Sequence, residues 1–187
     1  MAEPTTIAVA GALVLRPFAA TDARPLYELI DRNLDHLREW LAWVDLDHSV
    51  DGKARFIEGC LAQYLARTGL SLALVDGDEM IGVLGYNTLD GLHHRGEIGY
   101  WLSADRAGTG VMTRGVRALG EHGFAELGLH RQLIRAATGN TRSRAIAERV
   151  GFTFEAVERE AELIGGRYLD LARYVAIAGE WTPPAVS

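Results

Sequence analysis

Cysteine is nearly missing from this chain. Among 187 residues only Cys60 carries a thiol, which excludes an internal disulfide and suits a reducing, cytoplasmic setting. No apolar run approaches the ~18 residues that a membrane span needs, and the N-terminus lacks the basic-then-apolar layout of a signal peptide. No membrane partner is expected. Basic residues are outnumbered, and the net charge of −6 argues against a nucleic-acid partner while mildly favouring basic or amine-bearing ones. The six histidines are scattered apart from His93 and His94. Read as neighbours on a strand, those two point to opposite faces and cannot share one ion, so no metal is expected. Repeats, low-complexity segments and linkers are absent too.

What is present is an ordinary globular composition, 48% apolar and 24% charged, in a length that makes one domain with a sizeable core the default. Residues 1–11 read as a loose lead-in, 12–180 as the domain and 181–187 as a tail closed off by Pro183-Pro184. Ala12 to Pro17 alternates as a first strand. Thr21 is placed to cap a helix over Asp22 to Arg32, with Pro25 in its first turns. Asn33 opens a short helix, and Val50 to Arg67 a longer one that turns Phe56, Ile57, Cys60, Leu61, Tyr64 and Leu65 inward. On that face Cys60 reads as a small core residue. Leu70 to Val75 and Met80 to Leu89 form a hairpin. Arg131 to Thr138 is a strand, Thr141 to Val150 a helix, and Phe152 to Ile164 with Tyr168 to Ile177 a last hairpin turned by Gly165-Gly166. Helices around a mostly antiparallel, meandering sheet predict an α+β fold.

The chain is organised around Glu97 to Thr113. Glu97-Ile98-Gly99-Tyr100-Trp101-Leu102 reads as a strand. A turn with Gly108 and Gly110 follows, and from Met112 the residues Met112, Val116, Leu119, Phe124 and Leu127 recur at helical spacing. Glycines at a helix start let backbone N–H groups approach an anion, and the helix dipole favours negative charge there. The same glycines also serve a turn that only needs positive φ. A Walker loop is excluded because no lysine stands in the stretch. A dinucleotide fingerprint is excluded by Thr113 where a third glycine belongs, and by the loop's late position in the chain.

Two further segments accompany the loop: Ala136-Ala137-Thr138-Gly139-Asn140-Thr141-Arg142-Ser143-Arg144-Ala145, and Glu148-Arg149-Val150-Gly151-Phe152. With them the chain resembles the GNAT acyl-CoA-dependent N-acetyltransferases. The segment Asn33-Leu34-Asp35-His36-Leu37-Arg38-Glu39-Trp40-Leu41-Ala42-Trp43-Val44-Asp45 narrows the resemblance to their Rim-type branch, named for acetylation of ribosomal-protein N-termini. It spans roughly Leu13 to Val175. The resemblance implies a single GNAT-like domain whose sheet splays beside Glu97–Leu102, with acetyl-CoA as co-substrate and a possible homodimer. Backbone of Tyr100, Trp101 and Leu102 would hold the pantetheine arm, and Gly108, Thr109, Gly110, Val111, Met112 and Thr113 would cradle the pyrophosphate. The family pattern there is Gln/Arg-x-x-Gly-x-Gly/Ala. Gly110 fits it, whereas Ala107 and Met112 depart from it, and Arg106 is the nearest substitute for the missing polar residue.

Acetyl transfer needs a neutral amine, a polarised thioester and a proton for the leaving sulfur. By resemblance Ser143 supplies that proton and Asn140 holds the cofactor, although either Ser143 or Thr141 also suits a helix cap. Glu162 and Glu97 compete as the base that takes the amine proton. Glu162 equally reads as a solvated charge at a hairpin end, paired with Arg167. Trp40 and Trp43 read as core or as a wall for the acceptor, with Glu39 able to attract its ammonium group. Three functions follow: an N-acetyltransferase for a protein or peptide α-amine, one for a small amine such as a peptide or aminoglycoside antibiotic, and an acyl-CoA-binding sensor without catalysis, the last motivated by Ala107 and Met112.

Overall fold

A computed structural model describes residues 5–184. Eight strands, β1 (Ile7–Ala10), β2 (Leu13–Arg16), β3 (Leu70–Asp76), β4 (Glu79–Asp90), β5 (Arg95–Leu102), β6 (Arg131–Ala137), β7 (Thr153–Ile164) and β8 (Arg167–Ile177), share one sheet in the order β1-β2-β3-β4-β5-β6-β8-β7. Five α-helices flank it: α1 (Ala23–Asp31), α2 (Leu34–Arg38), α3 (Val50–Ala66), α4 (Val111–Ala125) and α5 (Thr141–Arg149). The architecture is the expected α+β. All neighbouring strands run antiparallel except β5 and β6, whose parallel crossover is α4.

Period-two alternation divides the core. From β3, Leu70, Leu72 and Leu74 join a cluster with Val116 and Leu119 of α4 and Ala147 of α5, while Ala73 and Val75 pack with Leu26 and Ile30 of α1 and Ile57 of α3. Pairing of β5 with β6 runs only from Arg95↔Arg131 to Ile98↔Ile134. Past that rung β5 stays with β4 as far as Leu102, and β6 stays with β8 as far as Ala137. The sheet splays there, as the resemblance implied. A bulge in β4 between Tyr86 and Thr88, opposite Ile98 and Glu97, bends the sheet at the same level.

Five local expectations need correction. Residues 7–10 are a strand, because Ile7 and Val9 pack on the core and β2 pairs with their backbone. The tail is anchored as far as it is described: Trp181 packs on Phe124 and Phe152, and its indole N–H donates to Val150 O at 2.8 Å. Thr21 caps nothing. Asp22 closes that turn by accepting from Ala19 N at 2.7 Å while pairing with Arg16. The inward side of α3 is Lys53, Ile57 and Cys60, with Tyr64 packed on the core as expected, whereas Phe56, Leu61 and Leu65 are exposed, and burial pushes the Cys60 thiol up to about 11, so it remains protonated at neutral pH. Finally, His93 and His94 lie in the β4–β5 turn, where His94 has φ 48° and Asp90 Oδ1 accepts from His93 N.

Candidate active site

The splay opens a cleft of about 1360 Å³ between the two halves of the sheet. One end is the turn before α4. Gly108 and Gly110 stand at φ 81° and 77°, a region that costs glycine nothing. Space around Gly108 is open, and the nearest atom to a Cβ on Gly110 would be Arg114 Nη1 at 3.1 Å. The first N–H groups of α4, on Val111, Met112 and Thr113, have no intrahelical acceptor. A helix start with glycines before it and an open cleft in front fits a pyrophosphate. The side chains of Met112 and Thr113 are buried on the other side, in the core.

Arg106 lines the cleft, but its side chain is engaged elsewhere. Its guanidinium turns to the β3–β4 hairpin, where Nη1 lies 3.2 Å from Asp76 Oδ2 and Nη2 lies 2.6 Å from Glu79 Oε2. Two carboxylates on a neighbouring turn have claimed it. Besides Arg135 of β6, three other arginines line the cleft, Arg114 on α4 with Arg142 and Arg149 on α5. Arg142 and Arg149 are two turns apart, on one face of α5. Sequence reasoning passed over all three. The available signal was helical spacing: Arg114 follows Gly110 by four residues, and its N–H donates to Gly110 O.

At the start of α5 the cap is Asn140, whose Oδ1 accepts from Ser143 N at 3.0 Å. That leaves the Ser143 hydroxyl free for other work. Tyr100 Oη lies 3.0 Å from Ser143 Oγ and 3.0 Å from Ser143 O. Burial pushes the Tyr100 hydroxyl up to about 12, the bond to Ser143 opposing and Tyr174 adding to the rise. Tyr100 keeps its proton at neutral pH and donates to Ser143 O, while between its hydroxyl and Ser143 Oγ either oxygen can donate, a contact beyond the backbone one expected of it. Tyr174 fixes the helix from below, donating to Glu148 Oε1 at 2.8 Å and accepting from Arg144 Nε at 3.0 Å.

The two glutamates converge on the opposite wall. Glu97 is held at both oxygens by Arg135, Nε to Oε1 at 2.9 Å and Nη2 to Oε2 at 3.1 Å. Glu162 is half-buried beside the same guanidinium, and among the described residues its carboxylate accepts no hydrogen bond. It is not paired with Arg167. Burial raises its pKa above the ordinary glutamate value, Arg135 opposing and Glu97 reinforcing the rise. A bulge in β7 aims it: between the pairs Glu158↔Leu171 and Glu162↔Leu169, β7 advances four residues while β8 advances two. Glu160 is the hinge, at φ 49° with its N–H on Asp170 Oδ1.

Trp101 points to the face away from Tyr100 and sits 6.2 Å, ring to ring, from Trp43. Trp40, Trp43 and Phe56 line that side of the cleft together with Glu39, whose carboxylate is exposed. Behind Trp43 lies the buried Lys53, its Nζ 5.9 Å from the ring centroid. Trp40 and Trp43 line the cleft and neither joins a core cluster, whereas Trp101 packs on the core. Leu102 lines the cleft at the outer end of β5, and Thr109 crosses the mouth of the loop. The cleft therefore joins an anion-binding loop, a hydroxyl pair and a carboxylate with raised pKa, an arrangement able to hold a phosphorylated thioester and move protons at its reactive end.

Comparison with known proteins agrees with this geometry. Residues 12–153 match the family described as acetyltransferase (GNAT) domain. The chain is 31% identical over 173 residues to the ribosomal-protein-serine acetyltransferase of Escherichia coli, covering 92% of this chain and 96% of that protein. In structure it resembles RimL, a ribosomal L7/L12 α-N-protein acetyltransferase solved with coenzyme A, at TM-score 0.89 and 27% identity over 92% of this chain and 98% of that one. It also resembles the microcin C7 self-immunity acetyltransferase MccE, solved with acetyl-CoA and AMP, at TM-score 0.86 and 29% identity over 90% and 94% of the two chains. Family match, fold and splayed cleft lead to one conclusion: the chain belongs to the GNAT family and is an acetyl-CoA-dependent N-acetyltransferase.

Proposed function

We propose that the acceptor is the N-terminal α-amine of a protein or peptide, acetylated by direct attack with acetyl-CoA and amine bound together. The observation that carries the mechanism is the pairing of an unbonded, half-buried Glu162 on one wall with the Ser143–Tyr100 hydroxyls on the other. The loop N–H groups of Val111 to Thr113, with Arg114 and the α5 arginines, hold the phosphates of acetyl-CoA as substrate. The edge of β5 from Gly99 to Leu102, which β6 leaves unpaired, holds its arm. Glu162 takes the proton from the amine nitrogen as that nitrogen bonds to the acyl carbon. The carbon–sulfur bond breaks, Ser143 Oγ, hydrogen-bonded to Tyr100, gives its proton to the sulfur, and the proton that Glu162 took returns through solvent to Ser143 Oγ, which resets both side chains. The products are an amide and a free thiol. Glu39, Trp40 and Trp43 receive the chain that carries the amine, the carboxylate attracting the ammonium before it is deprotonated. Support for a protein acceptor is the likeness to ribosomal-protein acetyltransferases over nearly the whole chain.

A second reading takes a small amine-bearing antibiotic as acceptor, supported by the likeness to MccE. Thiol release from acetyl-CoA, measured with peptides bearing free N-termini against polyamines, aminoglycosides and aminoacyl nucleotides, separates the two. Turnover of peptides at the higher kcat/KM is the expected result. Exclusive turnover of a small amine overturns the protein-acceptor reading. In the same assay Ser143→Ala is expected to lower kcat about 10²-fold with little change in acetyl-CoA affinity. An equal loss in both would remove Ser143 as proton donor.

A further inference from the structure

We infer that Arg135 is a positioning residue that staples β5 to β6 at the apex of the cleft and, by occupying both oxygens of Glu97, reserves proton transfer for Glu162. The inference rests on Glu162 as the base.

The last backbone rung between the two strands is Ile98↔Ile134. Arg135 is the next residue of β6, the first whose backbone no longer reaches β5. Its side chain makes the link that the backbone gives up, through the two-point pair with Glu97. Single exposed ion pairs contribute little, but this one is bidentate, and the Glu97 side chain is only 15% exposed. Nor does it stand alone. Arg135 Nη1 lies 3.4 Å from Glu158 Oε2, Arg173 Nη1 lies 2.9 Å from Glu158 Oε1, Arg173 Nε lies 2.8 Å from Glu155 Oε2, and Arg131 Nη2 lies 2.6 Å from that same oxygen. Alternating charges thus cross β5, β6, β7 and β8 and hold the guanidinium from behind, so its position is set by the sheet rather than by the substrate.

The consequence for catalysis is selective. The two-point pair takes one lone pair on each Glu97 oxygen and pins the carboxylate in the plane of the guanidinium, so it cannot turn toward an amine. Glu162 has both oxygens free and faces Arg135 from β6 and Glu97 from β5. On its own strand Glu158 offsets Arg135, and on β8 Asp170 is taken up by Glu160 N. Arg135 and Glu97 therefore pull the proton affinity of Glu162 in opposite directions.

The test is the pH dependence of kcat/KM for acetyl transfer in Arg135→Met, Arg135→Lys and Glu97→Gln, beside wild type and Glu162→Gln. A base works only when deprotonated, so its pKa appears as the acid limb of the profile. Removing the cation in Arg135→Met is expected to move that limb to higher pH. Removing the neighbouring anion in Glu97→Gln is expected to move it to lower pH. Arg135→Lys, which keeps the charge but not the two-point grip, is expected to leave the limb near wild type while lowering kcat about tenfold. Loss of packing alone would not shift the limb in opposite senses. Limbs that stay put, or move together, with Glu162→Gln inactive overturn the staple and leave the base in place. An active Glu162→Gln beside an inactive Glu97→Gln overturns the base assignment beneath it. If Arg135→Met does not fold, the shift in Glu97→Gln and the kcat of Arg135→Lys decide alone.

Discussion

At the scale of single residues, the division of labour between Ser143 and Tyr100 is the sharpest feature of the cleft. A serine hydroxyl is a poor acid by itself, and its loss of a proton to a departing thiolate needs a donor behind it. In the proposed mechanism Tyr100 takes that place, its oxygen 3.0 Å from Ser143 Oγ and its hydroxyl pushed up to about 12 by burial. Tyr100→Phe keeps the ring and its packing and removes only the oxygen, so kcat is expected to fall about 10-fold to 100-fold, with acetyl-CoA affinity by calorimetry close to wild type. An unchanged kcat would leave Ser143 working without a relay. The cap of α5 is Asn140 and not Ser143 or Thr141, whereas the glycines of the turn could be read from sequence because they act within a few residues of their neighbours. Arg106 could not, since its partners Asp76 and Glu79 come from a hairpin some thirty residues earlier in the chain. The choice between Glu97 and Glu162 stayed open for the same reason: Arg135, which separates their environments, reaches across strands that no local pattern connects.

At the scale of elements, periodicity located the strands other than β1 and the long helices to within a residue or two but misjudged part of the face that α3 buries. Phe56, counted as an inward residue of α3, opens onto the cleft and meets Phe18 edge-on, whereas the charged Lys53 turns inward under Trp43. Apolar character alone cannot separate a core face from the wall of a binding site. Close approach is another feature that spacing does not reveal. Helix α4 lies against β4 where Tyr86 donates to Gln132 Oε1 at 2.8 Å, and Gln132 Nε2 donates to Gly120 O at 2.8 Å, all of it buried. A Cβ on Gly123 would stand 1.9 Å from Tyr86 Oη, 2.8 Å from the flexible end of Gln132 at Nε2 and 3.0 Å from Tyr86 Cζ, so the hydroxyl is the main obstacle. Gly123→Ala therefore has to push α4 off the sheet, at about 1–3 kcal/mol, read as a lower urea midpoint. Tyr86→Phe removes the clashing oxygen but strands Gln132 Oε1, a loss of similar size. Because both changes act on one atom, the double variant is expected to be clearly less destabilised than the sum of the singles. Strict additivity would mean that the hydroxyl is not what excludes a side chain at 123.

At the scale of the whole molecule, the sheet order and the parallel β5–β6 pair open the cleft, and of these only the splay was legible, through resemblance to a family. The register between β5 and β6 joins segments separated by the whole of α4, and nothing in either segment says where pairing should stop. The closing of the fold by its C-terminal residues was missed as well, because Pro183-Pro184 reads as an end of order. Trp181 instead wedges between α4 and the start of β7. It stacks within 5.3 Å of Phe124 and 6.1 Å of Phe152, caps Val150 O at the end of α5, and approaches Gly120 so closely that a Cβ there would lie 3.2 Å from its ring. It thereby ties α4, which carries the phosphate loop, to α5, which carries Ser143. Trp181→Ala is expected to cost about 3 kcal/mol, a fall in Tm of about 6–12 °C for a chain of this size. Acetyl-CoA at about a hundred times its Kd returns about 2.7 kcal/mol to any variant whose folded site is intact. If Trp181 only buttresses the helices, the ligand-induced rise in Tm should match wild type. A smaller rise would mean that the tail also sets the spacing between the phosphate loop and Ser143, and that the cleft loses its shape before the fold is lost.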